Sequence, residues 1–244
     1  MGLFDNLNKK NAAKDNLLFI ESLKRGKSPD QCKCIDFFTA LDEETKKSLG
    51  CLAGKGKDVW TIDDYCNHVQ KMVNALNLKQ RAIEKIGLDE SQISEIPPIY
   101  LSSFLRGDGL YTKSSDDYSK FVTNKYSVTW IFFSATQLYT YTYTFETTSD
   151  NVTEFTRDFF YSDITCIRTE HEIEEVIYEL KNNKKGCFKG CLKKTDDPKY
   201  VHNNRHWDTL QITVPNDSYS FCCRTTDTLE QSIQAAKAMI REKK

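Results

Sequence analysis

The chain has 244 residues, of which 34 are Lys or Arg and 35 are Asp or Glu, so its formal net charge is −1. A hydrophobic fraction of 39% and a charged fraction of 28% are typical of a globular protein and exclude a disordered tail. The balanced charge also excludes a polycation of the histone or ribosomal class, which carries a large positive excess.

The first third of the chain is predicted to be helical. Apolar residues over 17–23 form one short helix, and the sequence Ser-Pro-Asp at 28–30 is typical of the start of a second. Thr61 is placed to cap a third helix, whose apolar residues recur at three- and four-residue steps. Asn77 interrupts this helix, and Gly87 is a natural end for the segment that follows.

After residue 98 the apolar pattern changes to a period of two, which predicts β-strands. In the clearest strand, aromatic residues alternate strictly with threonines over residues 139–145, as in a half-buried antiparallel strand. The other predicted strands are 99–105, 128–133, 157–168, 172–180, 210–214 and 219–223.

A C-terminal amphipathic helix is predicted from residue 227. Asp227 is the candidate N-cap, and a glutamate three residues later completes a capping-box pattern. Leu229, Ile233, Ala236 and Ile240 lie on one face at helical spacing. We expect this apolar stripe to pack on the core.

The order of these elements resembles that of a pleckstrin-homology-like (PH-like) domain. The resemblance is carried by residues 129–134, 139–145, 159–164, 212–215 and 230–233. It extends over residues 97–244 and is shared with uncharacterised bacterial proteins that join a helical N-terminal region to such a domain. It implies an α+β fold with a helical region at 1–96 and a PH-like β-domain at 97–244. In that domain a bent antiparallel β-barrel is closed by the C-terminal helix, with a charged insertion near 169–206.

The resemblance also implies a class of function. Members of this superfamily bind phosphoinositides, peptides or partner domains, and most have no catalysis of their own. We therefore expect a non-catalytic binding or scaffold module with a protein or peptide partner. The N-terminal helices would either cover an edge of the sheet or form a separate partner-binding unit. No motif brings an acid, a base and a nucleophile together, so neither an enzyme nor a cofactor is predicted.

The net charge of −1 conceals a strong segregation along the chain. Residues 146–179 hold ten acidic and two basic residues, for a net charge of −8, whereas 181–205 hold eight basic and two acidic residues, for +6. The basic segment suggests, as an alternative function, binding to anionic membrane or phospholipid. It could instead fold back as a hairpin on residues 172–179 and pair its charges internally. The candidate ligand-binding residues are Lys184, Lys185, Lys189, Lys193 and Lys194.

Four potential metal ligands lie in the same segment. Cys187, Cys191, His202 and His206 have a spacing close to that of a zinc finger, and two thiolates with two imidazoles would complete a tetrahedral set. Thr195 stands where a finger would place an aromatic residue between its ligand pairs. The sequence thus leaves two interpretations, a zinc site and an ordinary loop.

The tyrosine–threonine alternation at 139–145 is also compatible with stacking of single-stranded nucleic acid. Such binding needs basic side chains for the phosphates, and residues 126–156 contain no Lys or Arg. We therefore assign the alternation to cross-strand pairing and the barrel core, and predict no nucleic-acid partner.

The location of the protein is predicted from its apolar segments and its cysteines. No stretch approaches the roughly 20 apolar residues that a membrane-spanning helix needs, and the first residues lack the apolar core of a secretion signal. The nine cysteines lie mostly within apolar segments, as reduced thiols do. We expect a cytoplasmic protein without a transmembrane segment.

Overall fold

The computed structural model describes residues 15, 17–40, 60–89, 93, 96–107, 111–115, 120–180 and 199–243, and for 176–180 and 199–205 it describes the backbone. Within these ranges the helices are α1 (17–24), α2 (Pro29–Phe38), α3 (Ile62–Ala75), α4 (Leu78–Ile86) and α5 (Asp227–Lys243). The strands are β1 (Ile99–Phe104), β2 (Thr112–Ser114), β3 (Phe121–Thr123), β4 (Lys125–Phe133), β5 (Gln137–Glu146), β6 (Val152–Phe160), β7 (Cys166–Leu180), β8 (Lys199–Val214) and β9 (Asp217–Cys223). The predicted α+β class is confirmed.

Capping side chains define where α2 and α3 begin. The backbone N–H of Gln31 donates to Ser28 Oγ at 3.2 Å, and the N–H of Ser28 donates to Gln31 Oε1 at 2.9 Å. Thr61 and Asp64 form the same reciprocal pair at the start of α3. Each pair satisfies N–H groups that the first turn of a helix leaves without partners. Both predicted helix starts are confirmed.

Two left-handed residues separate and end the helices that follow. Asn77 has φ 46° between α3 and α4, and Gly87 has φ 77° directly after α4. A short polar side chain, or none, makes this backbone conformation accessible. The interruption and the end are therefore placed as predicted.

The start of α5 differs by one residue from the prediction. Thr226 Oγ1 accepts a hydrogen bond from the N–H of Leu229 at 3.2 Å, and Asp227 is already the first helical residue. Thr226 is thus the cap. Threonine and aspartate are both good N-caps, so their adjacent positions do not show which of the two is used.

The strands form three antiparallel sheets. Their orders are β1-β4-β5-β6, β2-β3 and β7-β8-β9. β1 lies beside β9 without a backbone ladder, and a 3-10 turn at Tyr161–Asp163 separates β6 from β7. The edges of the two larger sheets therefore stay unjoined. The prediction of a closed PH-like barrel is wrong for the described strands, which form open sheets.

The aromatic face of β5 is covered by the N-terminal helices. Tyr141, Tyr143 and Phe145 are at most 6% exposed and share a core cluster with helical residues that include Tyr65. The register places Tyr141 opposite Trp130, so the predicted cross-strand aromatic pairing is confirmed. The aromatic ladder lies in this helix–sheet core rather than in a barrel core. The helices cover a face of the sheet, and these rings are not open to nucleobases.

Tyr65 of α3 contacts both the sheet and a second helix in this core. Its hydroxyl donates to the carbonyl oxygen of Thr123 at 2.8 Å and lies 2.8 Å from Thr147 Oγ1. Its ring stacks on Phe37 of α2 with centroids 4.6 Å apart. One buried side chain therefore connects two helices to the sheet.

The opposite face of the four-stranded sheet packs against α5 and the third sheet. The stripe of Leu229, Ile233, Ala236 and Ile240 is buried in one cluster with Leu138 of β5 and with side chains of β8 and β9. Burying one Leu or Ile side chain stabilises a fold by about 1.5–3 kcal/mol relative to its exposed state. The predicted packing of this helix face is confirmed.

Candidate functional site

The two longest strands of the described residues, β7 and β8, pair as an antiparallel hairpin. Its register runs from Cys166 opposite Thr213 to Leu180 opposite Lys199. β9 pairs only with residues 208–214 of β8. Residues 172–180 and 199–207 therefore continue past β9 as a two-stranded segment, which we call the β7–β8 arm. Nine residues of strand span about 30 Å.

The arm contains the end of the acidic segment identified in the charge pattern. The acidic segment 172–179 pairs with residues 200–207 of β8, whereas six of the eight basic residues of 181–205 lie outside the described residues. Within the acidic segment, Glu172 forms an ion pair with Arg106, which follows β1. Glu174 accepts a hydrogen bond from the indole of Trp207.

The predicted ligand-binding lysines cannot be placed on this arm. Outside the described residues lie Lys184, Lys185, Lys189, Lys193 and Lys194, together with Cys187 and Cys191. The chain leaves β7 at Leu180 and enters β8 at Lys199, and these two residues are cross-strand partners. The basic segment is therefore attached where the described arm ends.

His202 and His206 lie on β8 and not on a helix. Four residues along a strand span about 13 Å, whereas in a zinc finger the same spacing on a helix spans about 6 Å. The finger-like spacing therefore does not bring these two histidines close together.

His206 instead contacts His171, which in turn contacts Asp208, and the sequence analysis considered neither of these two residues. His206 Nδ1 lies 3.1 Å from His171 Nε2, and His171 Nδ1 lies 2.5 Å from Asp208 Oδ1. The N–H of Thr225 donates to Asp208 Oδ2 at 2.9 Å. The three side chains form one continuous chain of hydrogen bonds, which we call the His–His–Asp chain.

The register of the hairpin explains this arrangement. His171 is directly opposite Asp208, and His206 lies two residues along β8 on the same face. The sequence signal for this arrangement is that these positions fall on one face when the two strands are paired in this register. It can be recognised only when the length of the hairpin, and with it the register, is known, because a shift by one residue would move every side chain to the other face.

The hydrogen-bond partners of Asp208 stabilise its ionised form. Partial burial opposes ionisation, but hydrogen bonds from His171 and from Thr225 outweigh it and keep the pKa of Asp208 below its ordinary value. The Asp208 side chain is 16% exposed, whereas that of His171 is 50% exposed. The chain therefore runs from a covered carboxylate to imidazoles that solvent can reach.

The opposite face of the arm is attached to the end of β1. Arg106 Nη2 donates to both carboxylate oxygens of Glu172, at 2.8 and 2.7 Å. Its guanidinium lies 5.8 Å from the ring centroid of Trp207, which also packs edge-to-face on Phe121 at 5.5 Å. These contacts fix the base of the arm against β1 and β3.

β7 also has an unpaired edge. Among the described strands its only neighbour is β8, along all 15 residues. β7 carries five glutamates and one arginine, so this edge is strongly acidic. Glu170 pairs with Arg168 at 2.7 Å, and both side chains are exposed, so that contact is weak and easily exchanged.

Of the six described cysteines, Cys34 and Cys223 are buried and have the character of structural residues. All six are free thiols. Burial raises the pKa of Cys34 to about 11 and that of Cys223 to about 12. Because the thiolate is the reactive form, these two thiols stay protonated at neutral pH and act as small apolar side chains.

Comparison with other proteins adds no relative from which function can be transferred. No family model, curated protein or solved structure matches the chain. Within the described ranges, each helix is too short or too polar to cross a membrane. Function is therefore inferred from the geometry of the chain itself.

Proposed function

We propose that this protein is a non-catalytic binding module that adds an extended segment of a partner protein to the unpaired edge of β7. The observation that carries this proposal is the pairing of β7 with β8 alone, over 15 residues of described strand. An unpaired edge presents a row of N–H and C=O groups, and an added strand satisfies them.

The side chains of β7 define the chemistry of the partner. Successive residues of a strand point to opposite faces, so Glu170, Glu172 and Glu174 line one face of β7. Ile173 lies on the other face and is 55% exposed, a large fraction for an isoleucine. A partner strand in which Lys or Arg alternates with apolar residues complements both faces. Backbone pairing supplies affinity, and the charges supply specificity.

β6 provides a useful contrast, because it also has a single strand neighbour. It is shorter, with nine residues. Arg81 and Lys85 of α4 bind Glu154 on its helix-facing side. The longer edge of β7, which continues into the arm, offers the larger surface to an added strand.

The PH-like assignment is part of this proposal. A four-stranded antiparallel sheet, a three-stranded one and a C-terminal helix in their shared core support an open PH-like arrangement. Its resemblance to a superfamily of peptide-binding and scaffold modules supports the functional class. The free thiols of the described cysteines support a cytoplasmic location.

Peptide selection followed by hydrogen exchange tests the proposal on the full chain. We expect displayed peptides with alternating basic and apolar residues to be enriched. Such a peptide will protect amides of residues 166–175 and leave those of β6 unchanged. Glu170→Lys will weaken its binding about tenfold or more, whereas Asp158→Lys on β6, the matched control, will not. Protection elsewhere, or equal effects of the two variants, would overturn the proposal.

Vesicles of anionic lipid test the alternative function. That alternative rests on the five lysines of the basic segment, which lie outside the described residues. Salt-sensitive vesicle binding that is lost when Lys184, Lys185, Lys193 and Lys194 are changed to Ala, without any peptide binding at β7, would replace the peptide proposal with membrane recognition.

A further inference from the structure

We propose that His171 and His206 bind one divalent transition-metal ion, and that Asp208 positions His171 for this role. The site is separate from the peptide-binding edge proposed above and does not depend on it. It uses neither cysteine of the finger-like sequence motif.

The two imidazoles already have the separation that a shared ion requires. His171 Nε2 and His206 Nδ1 are 3.1 Å apart. Two nitrogens that bind one tetrahedral ion at about 2.0–2.1 Å are themselves about 3.3 Å apart. Opening the pair by a few tenths of an ångström is within the reach of two exposed side chains. No rearrangement of β7 or β8 is needed.

Asp208 selects the tautomer of His171 that can bind a metal ion through Nε2. When His171 Nδ1–H donates to Asp208 Oδ1, the lone pair of the neutral ring lies on Nε2, the nitrogen that faces His206. The second carboxylate oxygen of Asp208 is held by the N–H of Thr225. A carboxylate behind a metal-binding histidine fixes the tautomer and the ring orientation and makes the ligand more basic.

Binding of the ion changes the tautomer of His206. In the metal-free chain, with both rings neutral, His206 Nδ1–H donates to His171 Nε2. When the ion binds the lone pair of His171 Nε2, the proton of His206 Nδ1 leaves to water, which frees a lone pair for the ion, and His206 Nε2 takes up a proton from water. Both imidazoles are then neutral ligands and no net proton is released.

The ligand set also selects the kind of ion. Imidazole nitrogen suits Zn²⁺, Cu²⁺ and Ni²⁺, whereas Mg²⁺ and Ca²⁺ prefer oxygen ligands. The described residues contain no group of three His, Cys, Asp or Glu arranged around one ion. Two imidazoles with water in the remaining positions therefore describe an exchangeable ion rather than a structural one.

Titration of the untagged, chelator-treated full chain with Zn²⁺ tests this proposal. We expect one ion per chain by calorimetry, about tenfold or greater weakening in His171→Ala and in His206→Ala, and about 10–100-fold weakening in Asp208→Asn. His68→Gln, which changes a histidine on α3, is the matched control and will leave binding unchanged. Unfolding curves without metal will show that the variants fold.

Two further measurements distinguish this site from the finger-like one. The absorption spectrum of the cobalt-loaded chain will lack a thiolate-to-metal band, and the double variant Cys187→Ser/Cys191→Ser will bind zinc with unchanged affinity. Ring resonances of His171 and His206 in the unmodified chain will shift with one equivalent of zinc. A thiolate band, loss of binding in the cysteine variant or unshifted resonances would each overturn the proposal.

Discussion

Arg81 of α4 and Glu154 of β6 form a two-pronged ion pair, with Nε–Oε1 at 2.9 Å and Nη2–Oε2 at 2.7 Å. The same carboxylate accepts a hydrogen bond from the hydroxyl of Tyr141 at 2.7 Å and lies 2.9 Å from Lys85 Nζ. The Glu154 side chain is 13% exposed. One carboxylate therefore joins α4 to β5 and β6.

The first prediction concerns Glu154→Gln. The hydrogen bond from Arg81 is the largest of the effects that lower the pKa of Glu154 to about 2, against the opposing effect of burial. Because the folded-state value lies below the ordinary 4.5, this stabilisation is present above pH 4.5 and is lost as pH falls towards 2. We expect the variant to lose about 1–3 kcal/mol of unfolding free energy at pH 6.

Urea unfolding at pH 6 and pH 3 measures this effect. The difference between the unmodified chain and Glu154→Gln should shrink at pH 3. Glu84→Gln, an exposed change on α4, the helix that carries Arg81, should stay within about 0.5 kcal/mol of the unmodified chain at both pH values. A pH-independent difference for Glu154→Gln would show that the ion pair is not its cause.

The second prediction concerns Tyr65→Phe. This change keeps the stacked ring but removes the hydroxyl that serves the carbonyl of Thr123 and Thr147 Oγ1. A buried acceptor that loses its donor costs about 1–3 kcal/mol, which in a chain of this size lowers Tm by roughly 2–4 °C per kcal/mol. Calorimetry will show this shift, whereas Tyr100→Phe, at a more exposed tyrosine, will shift Tm by less than about 1 °C.

The third prediction concerns His68 of α3. Its Nε2 is buried without a hydrogen-bond partner in the described part of the chain, and burial is the main cause that holds the pKa of His68 below the ordinary 6.5. The unfolded chain therefore takes up a proton first as pH falls. The stability that depends on neutral His68 is present above pH 6.5 and declines below it.

Unfolding between pH 7.5 and pH 5 tests this dependence. Replacing His68 with Phe removes the titrating group and should flatten the stability profile in this range. Glu154→Gln should leave that part of the profile unchanged, because Glu154 titrates at lower pH. A profile equally steep in His68→Phe would assign the dependence to another group.

The parts of the fold that the sequence predicts are those governed by local rules. Ser28 and Thr61 begin helices and Gly87 ends one through contacts within one turn, so their positions follow from residue type and spacing. The aromatic–threonine alternation of β5 likewise identifies its two faces. Residues distant in the chain decide which layer covers each face. The aromatic face packs against α2–α4 and does not line a barrel interior.

The candidate site depends on long-range pairing in the same way. His206 was noticed because of its sequence spacing to His202, but that spacing assumes a helix and the residue lies on β8. His171, which His206 contacts, lies on β7 and is separated from His206 and Asp208 in sequence by most of a hairpin. Only the register of β7 against β8 brings them together, and no local pattern encodes that register.

The last prediction concerns Arg106, which attaches the base of the β7–β8 arm. Its ion pair with Glu172 and its contact with the Trp207 ring are both partly exposed. Exposed pairs of this kind contribute about 0–1 kcal/mol, so Arg106→Ala should change global stability little. It should nevertheless speed hydrogen exchange at amides near Glu172 and Trp207, because local opening of the arm no longer has to break these contacts. Arg168→Ala removes contacts with Glu170 and with Gln211, all outside the arm, and as the matched control it should leave exchange in the arm unchanged. Faster exchange throughout both sheets in Arg106→Ala would instead mean that Arg106 supports the whole fold and does not act on the arm.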